Sequence, residues 1–308
     1  MATYTEGSAG FLFLQDDSNY IMRQTTGEFQ FSPEIIQEIY EAHSERLHRL
    51  RKLGVSYQHI VIPNKETVYN DFLPNNIRYE EFGATPLRQF HERTARHPRI
   101  AWFRPDILQK LRQDGRSPYM KRDTHWTDDG AYNYFSAALE DYGFEAELSI
   151  LRNSEMHICE EVVQGDLAKL ADGEPEVVRS LRLKNPNFNL EFEGDCVNEG
   201  YVRLQKCGKS NGKRRALVHH DSFTHWLFPF IGQVYDEVLF IHGPDIDFGL
   251  VEHFKADHVW FIQVERFFIR VPRNWVSIVE FVERQEAIKG VSHRSSKFLR
   301  TLCSTEGA

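Results

Sequence analysis

The stretch RALVHHDSFTHW, residues 215–226, passes from an apolar run into a polar turn and then into an aromatic-rich segment. The run 215–220 is typical of a buried strand, and a helix is expected from Phe223 to about Tyr235. Ser222 therefore lies at a strand-to-helix junction. Because α/β folds place their ligands at the carboxyl ends of parallel strands, this junction is the first candidate for a functional site.

Apolar strands and amphipathic helices alternate along the chain on both sides of this junction. Further strands are predicted at 57–65, 237–243 and 258–264, and helices at 32–54 and 128–143. Ser32 and Thr127 are suitable helix N-caps, and a glycine ends each helix. This alternation predicts an α/β fold of three layers, with a mostly parallel central sheet covered on both faces.

The length of 308 residues suffices for one large domain or one domain with a small appendage. We expect one domain over residues 1–284, followed by a polar and loosely packed tail, 285–308. Residues 144–215 depart from the alternation with short pieces such as FNLEFEG and YVRLQKCG. They predict a small antiparallel insertion or sheet edge.

The composition is that of an ordinary globular protein, with 41% hydrophobic and 27% charged residues. A net charge of -8 disfavours binding to nucleic acid or anionic lipid, and the basic stretch KSNGKRR, 209–215, is expected to be a solvated hairpin turn. No apolar run approaches the ~20 residues of a membrane span. The four scattered cysteines indicate neither a zinc knuckle nor a disulfide framework. The N-terminus as written shows no signal peptide, which predicts a cytoplasmic location unless a leader is missing.

A serine oxygen becomes an effective nucleophile when an imidazole accepts its proton and a carboxylate orients that imidazole. The stretch RDTHWTDDG, 122–130, places Asp123 two residues before His125 in a loop ahead of a helix. This spacing lets the aspartate accept from Nδ1 while Nε2 faces outward, and Trp126 gives the loop an apolar anchor. Ser222 alone is most simply a helix cap. Together with this pair, it is predicted to be the nucleophile of a serine hydrolase or transferase.

Six segments share their character and order with one known family. They are EGSAGFLFL (6–14), VIPNKETVYNDFLP (61–74), DTHWTDDGAY (123–132), QGDLAKL (164–170), DSFTHWLFPF (221–230) and ADHVWFIQVERF (256–267). They resemble the segments of the AlgX/AlgJ-type polysaccharide O-acetyltransferases, members of the wider SGNH-hydrolase-like group. The resemblance covers about residues 6–270 and implies an SGNH-hydrolase-like fold.

By this resemblance, Ser222 matches the nucleophile, His125 the general base and acid, and Asp123 the orienting carboxylate. The aspartate and histidine precede the serine, as in this family's permuted arrangement. His220 stands where the family commonly has glycine, and its side chain would either crowd the backbone near the oxyanion hole or add a donor. The implied reaction moves an acetyl group through an acetyl-serine to a polysaccharide or glycan hydroxyl.

The resemblance also has implications for the cofactors, partners and location of the protein. It implies no tightly bound cofactor, an acetyl donor of unknown identity as co-substrate, and an acetyl-relay membrane protein as a further partner. Family members are usually periplasmic, so export of a longer chain is an alternative to the cytoplasm. Two other functions stay open: a carbohydrate acetylesterase that uses the same triad with water, and a non-catalytic carbohydrate-binding or assembly module.

Two pairs of residues in the family-like segments are weaker candidates. Glu265 and Arg266 match the family's late Glu-Arg pair, and they are expected to form a buried structural ion pair or to support catalysis. Lys65 and Tyr69 belong to the lysine-tyrosine segment, and we expect them to maintain the fold.

Aromatic and histidine side chains near the serine complete the set of candidates. Trp226, Tyr132 and His225 would either line a sugar-binding groove or pack in the core. His219 and His220 are neighbours on a strand and point to opposite faces, so a shared metal ion would need other ligands that the sequence does not identify. No metal site is therefore predicted.

Overall fold

The computed structural model describes residues 2–94, 97, 99–208, 214–274 and 276–304. Its strands are β1 (Thr3–Glu6), β2 (Leu12–Asp16), β3 (Ser56–Ile62), β4 (Met156–Val163), β5 (Glu176–Leu183), β6 (Phe188–Glu193), β7 (Val202–Cys207), β8 (Arg215–His220), β9 (Glu237–His242) and β10 (His258–Val264).

The α-helices of these residues surround the strands. They are α1 (Ile21–Thr25), α2 (Pro33–Lys52), α3 (Lys65–Val68), α4 (Pro86–Thr94), α5 (Pro105–Gln113), α6 (Asp128–Asp141), α7 (Glu145–Asn153), α8 (Asp166–Leu170), α9 (Phe228–Val234), α10 (Phe248–Phe254), α11 (Ile278–Lys289) and α12 (Arg294–Ser304). Short 3₁₀ helices lie at Ser8–Gly10, Asn70–Phe72, Ser222–Leu227 and Glu265–Phe267.

The central sheet has six strands in the order β3-β10-β8-β9-β7-β6. The first four are parallel to one another, and β7 and β6 extend the sheet antiparallel at one edge. The mostly parallel sheet predicted from the sequence is confirmed. His220 pairs with Ile262 of β10 and with His242 of β9, so the carboxyl ends of these strands lie side by side.

Both faces of the sheet are covered, because neighbouring residues of each central strand enter different cores. On β8, Val218 packs in a core with α5, α6, α7 and α9, whereas Leu217 packs in a second core with α10, α11 and α12. Trp260 of β10 is fully buried in the first core. This arrangement is the predicted three-layer α/β fold.

The two helix N-caps predicted from the sequence make the expected hydrogen bonds. The Ser32 hydroxyl accepts from the N–H of Ile35 at the start of α2, and the Thr127 hydroxyl accepts from the N–H of Gly130 at the start of α6. The helix predicted from Phe223 is present in two parts: a 3₁₀ helix leads into α9.

The segment 144–215 contains both an insertion and a sheet edge. β4 and β5 form a separate antiparallel pair, while β6 and β7 join the central sheet. Most of the predicted basic turn, residues 209–213, lies outside the described residues. The strands on either side of it, β7 and β8, are separated by β9.

The prediction of a loose polar tail after residue 284 is wrong for the part of the tail that the structure describes. α11 continues to Lys289 and α12 follows. Leu299 is fully buried in the second core, with Phe298 and Leu302 packed beside it. The segment is polar on average, yet its apolar residues lie on one helical face. No helix among the described residues is long and apolar enough to cross a membrane.

Candidate active site

Ser222 is positioned by the residue that precedes it. The Asp221 carboxylate accepts from the backbone N–H of Phe223 at 2.9 Å and from that of Val264 at 2.6 Å. It therefore caps the 3₁₀ helix and ties the end of β8 to the end of β10. Burial raises the pKa of Asp221. Ser222, which alone is most simply a helix cap in the sequence, is thus the first residue of the helix, and Asp221 is its cap.

The loop that carries Asp123 and His125 is fastened to the serine element. Trp126 is fully buried, and its Nε1–H donates to the carbonyl of Phe223 at 2.9 Å. This contact joins segments that are 97 residues apart in the chain. The apolar anchor predicted from the sequence is thus also a hydrogen-bond donor, which helps to hold His125 over the serine.

The structure brings Ser222, His125 and Asp123 together in one hydrogen-bonded line. The His125 Nε2 lies 2.9 Å from the Ser222 Oγ, and the His125 Nδ1 lies 2.6 Å from the Asp123 Oδ1. The same Oδ1 accepts from the His125 backbone N–H at 2.8 Å. A carboxylate can only accept, so Nδ1 carries the proton and Nε2 presents its lone pair to the serine hydroxyl.

The charge of Asp123 is maintained although the residue is buried. Burial alone would raise its pKa, but the hydrogen bonds and charge of His125 outweigh burial and lower the pKa to about 2. Asp123 is therefore ionised at neutral pH. This is the form that orients the imidazole and stabilises it when it accepts a proton.

Asp166 belongs to the site and was not identified from the sequence. Its carboxylate accepts from the N–H and the hydroxyl of Thr124 at 2.7 and 2.5 Å, and its own N–H donates to the Asp123 Oδ2 at 2.8 Å. Gly165 permits this approach, because a Cβ there would lie 2.2 Å from the carbonyl oxygen of Arg122. Asp166 lies in the family-like QGDLAKL segment, but no spacing rule linked that segment to the loop that carries Asp123 and His125.

Lys65 stabilises the loop that carries Asp123. Its buried ammonium donates to the carbonyls of Asp123 at 2.7 Å, of Lys121 at 3.2 Å and of Met120 at 3.4 Å. Burial lowers the pKa of Lys65 to about 8. The expected fold-maintaining role agrees with these contacts, which also fix the backbone of the orienting aspartate.

Among the described residues no ion pair joins Glu265 and Arg266, so the first of the two roles considered for them is wrong. The Glu265 carboxylate instead accepts from the Asn64 N–H at 2.9 Å and the Thr67 hydroxyl at 2.6 Å. Burial raises the pKa of Glu265 to about 7. The Arg266 guanidinium lies over the Phe223 ring, 5.3 Å from its centroid. The two side chains have different partners because Glu265 accepts hydrogen bonds at the start of α3.

The serine opens into a cavity of about 640 Å³, a size typical of small-molecule sites. Its walls include His125, Ser222, His220, Arg266 and Gln263. An arginine and several residues with hydrogen-bonding groups therefore line the cavity into which the serine opens.

The aromatic candidates differ in their positions. The Trp226 ring stacks on the His125 ring, with centroids 4.7 Å apart and an interplanar angle of 24°. Tyr132 packs edge-on against Phe230, 5.4 Å away, beside the first core. Neither ring is among the residues that line the cavity around Ser222, and of these two candidates Trp226 is the one that contacts the triad. Tyr132 faces the core because it lies on the inward side of α6.

His220 does not add an N–H donor to the cavity. Its Nδ1 donates to the carbonyl of Asp221 at 2.8 Å, so a neutral ring leaves Nε2 as an acceptor. His219 points to the opposite face, as expected, and burial lowers its pKa to about 3.

Two groups of metal-ligating side chains are found within the described residues. They are Asp123 with His125 and Asp166, and His220 with His225 and His242, each group having ligand atoms within 4.8 Å of one another. The members of the first group are satisfied by the hydrogen bonds given above. His242 was missed in the sequence, where its only signal is a histidine at the end of a predicted strand.

Comparison with solved structures supports the fold assignment. Bacillus cereus PatB1 has 14% identity and a TM-score of 0.62, over 91% of this chain and 100% of that chain. A DHHW family protein from Eubacterium siraeum has 14% identity and a TM-score of 0.59, over 94% and 98%. The O-acetyltransferase domain of Pseudomonas putida AlgJ has 15% identity and a TM-score of 0.55, over 99% and 100%. Identities this low show a shared fold.

The family is given by a match in sequence. No curated protein matches the chain. A family model described as "SGNH hydrolase-like domain, acetyltransferase AlgX" matches residues 5–176, more than half of the chain. The matched range contains Asp123 and His125 and ends before Ser222. The chain therefore belongs to the AlgX family of SGNH hydrolase-like acetyltransferase domains.

Proposed function

We propose that the protein is a serine-dependent O-acetyltransferase that moves an acetyl group from a donor to a hydroxyl of a polysaccharide or glycan. The observation that carries this proposal is the line from the Ser222 Oγ through His125 to Asp123, with contacts of 2.9 and 2.6 Å. The family, whose description is that of an acetyltransferase domain, supports acyl transfer.

The first half-reaction transfers the acetyl group to the enzyme. The Ser222 Oγ attacks the acetyl carbonyl carbon of the donor while the His125 Nε2 takes the hydroxyl proton. Asp123 stabilises the imidazolium that forms. The tetrahedral intermediate then expels the donor's leaving group, which receives the proton from Nε2, and acetyl-Ser222 remains.

The second half-reaction regenerates the serine. An acceptor hydroxyl attacks the acetyl carbon while the His125 Nε2 takes its proton. The intermediate expels the Ser222 oxygen, which recovers the proton from Nε2, and the acetylated acceptor leaves. As the first residue of a 3₁₀ helix, Ser222 has an N–H with no acceptor within that helix, which makes it our candidate oxyanion donor.

Two residues near the serine, Arg266 and Trp226, are assigned roles that support the reaction. Arg266 lies in the cavity wall and carries a fixed positive charge, so we assign it to binding the acceptor or the developing negative charge. Trp226, stacked on His125, holds the imidazole plane. The acetyl donor acts as a co-substrate, and an acetyl-relay membrane protein is the partner that we propose would supply it.

The test is the intact mass of the protein after incubation with a chromogenic acetyl ester. Wild type should gain one acetyl group, Ser222→Ala should gain none, and Asp123→Asn should gain it slowly. Ser149→Ala, at an exposed serine of α7, is the matched control and should behave as wild type. An unchanged adduct in Ser222→Ala would refute the proposal.

Adding a soluble polysaccharide separates the functions that share this triad. Transfer predicts acetylated polysaccharide at the expense of free acetate. Release of acetate alone, unchanged by the polysaccharide, would identify an acetylesterase. A wild type that binds the polysaccharide but forms no adduct would instead be a carbohydrate-binding module.

A further inference from the structure

Three histidines converge beside the serine from separate parts of the chain. His220 ends β8, and His242 ends β9 as its register partner in the parallel sheet. His225 lies in the 3₁₀ helix that begins at Ser222. Each contributes one ring nitrogen to a group in which all three nitrogens lie within 4.8 Å of one another. We call this group the histidine cluster.

One ring nitrogen of His220 and one of His242 are buried and have no partner among the described residues. The His220 Nδ1 is used by the Asp221 carbonyl at 2.8 Å, which leaves a lone pair on Nε2. Among the described residues, neither this Nε2 nor the His242 Nδ1 has a hydrogen-bond partner. Buried polar atoms are normally satisfied, so two unpartnered nitrogens in rings whose centroids lie 5.2 Å apart need an explanation.

Aromatic packing explains why the His220 ring is buried, but not why three histidines lie together. His220 packs edge-on against Phe228 at 5.4 Å and Phe240 at 6.1 Å. Those contacts involve ring faces and edges, and any apolar ring of similar size would make them. A ligand that accepts electron pairs would satisfy the nitrogens directly.

The protonation state suits such a ligand. Burial lowers the pKa of His220 well below its ordinary value, that of His242 to about 3 and that of His225 to about 4. All three rings are therefore neutral near pH 7, and neutral imidazole is the form that binds metal ions. The hydrogen bond from the His220 Nδ1 to a carbonyl is the usual outer contact of a metal-bound histidine.

We propose that the histidine cluster binds one divalent transition-metal ion of the zinc type. Three imidazoles and an open fourth position form a common zinc arrangement, and nitrogen donors disfavour magnesium and calcium. With metal–nitrogen bonds of about 2.1 Å, tetrahedral ligands lie roughly 3.4 Å apart, so the rings need to move together by little more than an ångström. His220 and His242 line the same cavity as Ser222, so the ion would lie in the wall of that cavity.

The experiment is a zinc titration of the chelator-treated full-length protein against a chromophoric chelator, with Co²⁺ absorption reporting the coordination geometry. We expect one equivalent of Zn²⁺ and a tetrahedral Co²⁺ spectrum. His225→Gln and His242→Gln should each weaken binding at least tenfold, whereas His157→Gln, at an exposed histidine of β4, should not.

The outcomes that overturn the proposal are distinct. Wild type without stoichiometric Zn²⁺ binding, or binding equal in both variants, refutes it. Loss of binding in Asp166→Asn but not in His225→Gln would place the ion at the carboxylate group instead. His225 is the most exposed member of the cluster, so His225→Gln provides the test even where His242→Gln fails to fold, as circular dichroism would show. The mass assay for the serine is separate, so either proposal can fail alone.

Discussion

Replacing Glu265 by glutamine should make the protein more stable above neutral pH. Glu265 lies at the end of β10 and is only 3% exposed. Its Oε2 accepts from the Asn64 N–H at 2.9 Å and the Thr67 hydroxyl at 2.6 Å. The amide oxygen of glutamine can accept both hydrogen bonds, so Glu265→Gln removes the ionisation and keeps the contacts.

The magnitude follows from the pKa of this carboxyl group. Burial is the largest influence and raises it from 4.5 to about 7. At 1.36 kcal/mol for each pKa unit, the ionised form costs the folded state about 3 kcal/mol. Because the pKa is higher in the folded state, the protonated carboxyl group makes its full contribution to stability below about pH 4.5. This contribution is lost as the pH rises to about 7, and the free energy of unfolding changes no further with this group above that pH.

The assay is urea unfolding of wild type and Glu265→Gln at intervals between pH 4.5 and 8. The difference between the two free energies of unfolding should change by about 3 kcal/mol across this range, in favour of the variant at high pH. Glu160→Gln, at an exposed glutamate of β4, should give a curve parallel to wild type. Parallel curves for Glu265→Gln as well would refute the reasoning.

Three further substitutions test the supports of the site and the C-terminal helix. Lys65→Met removes the donor to the Asp123 carbonyl, so kcat/KM for an acetyl ester should fall about tenfold to hundredfold at an unchanged circular dichroism spectrum; an unaltered rate would contradict this positioning role. Gly165→Ala places a methyl group 2.2 Å from the Arg122 carbonyl oxygen, and urea unfolding should show a loss of about 1–3 kcal/mol. Leu299→Ala should destabilise by about 2–5 kcal/mol in the same assay, and a change under about 0.5 kcal/mol would mean that α12 is not packed.

The features of the fold that the sequence predicted are those determined by short stretches of chain. The strands β8, β9 and β10 are buried on both faces, so each reads as a continuous apolar run. The caps Ser32 and Thr127 act on residues three positions ahead. In both cases the interacting groups are neighbours in sequence, and a local pattern is enough.

The tail shows where a composition argument fails. Average polarity suggested loose packing, but the stability of α12 depends on which residues share a face. Leu299 enters the second core, while the Glu286 carboxylate of α11 accepts from the N–H of Ser295 at 2.7 Å. A buried carboxylate that meets a helix start can be recognised only when both helices are already in place.

The same reasoning separates the two halves of the candidate site. Asp123 and His125 are two residues apart, so their hydrogen bond could be expected from the sequence, whereas Lys65 is 58 residues from Asp123 and Glu265 is 201 residues from Asn64. These long-range contacts exist because β10 lies between β3 and β8, which brings the ends of three strands to one edge. The buried Lys65 and Glu265 side chains are satisfied by backbone or hydroxyl groups from other segments, so neither partner carries a signal by itself. The reacting groups can therefore be predicted from single segments of the sequence. The groups that hold them can be identified only once the strand order is known.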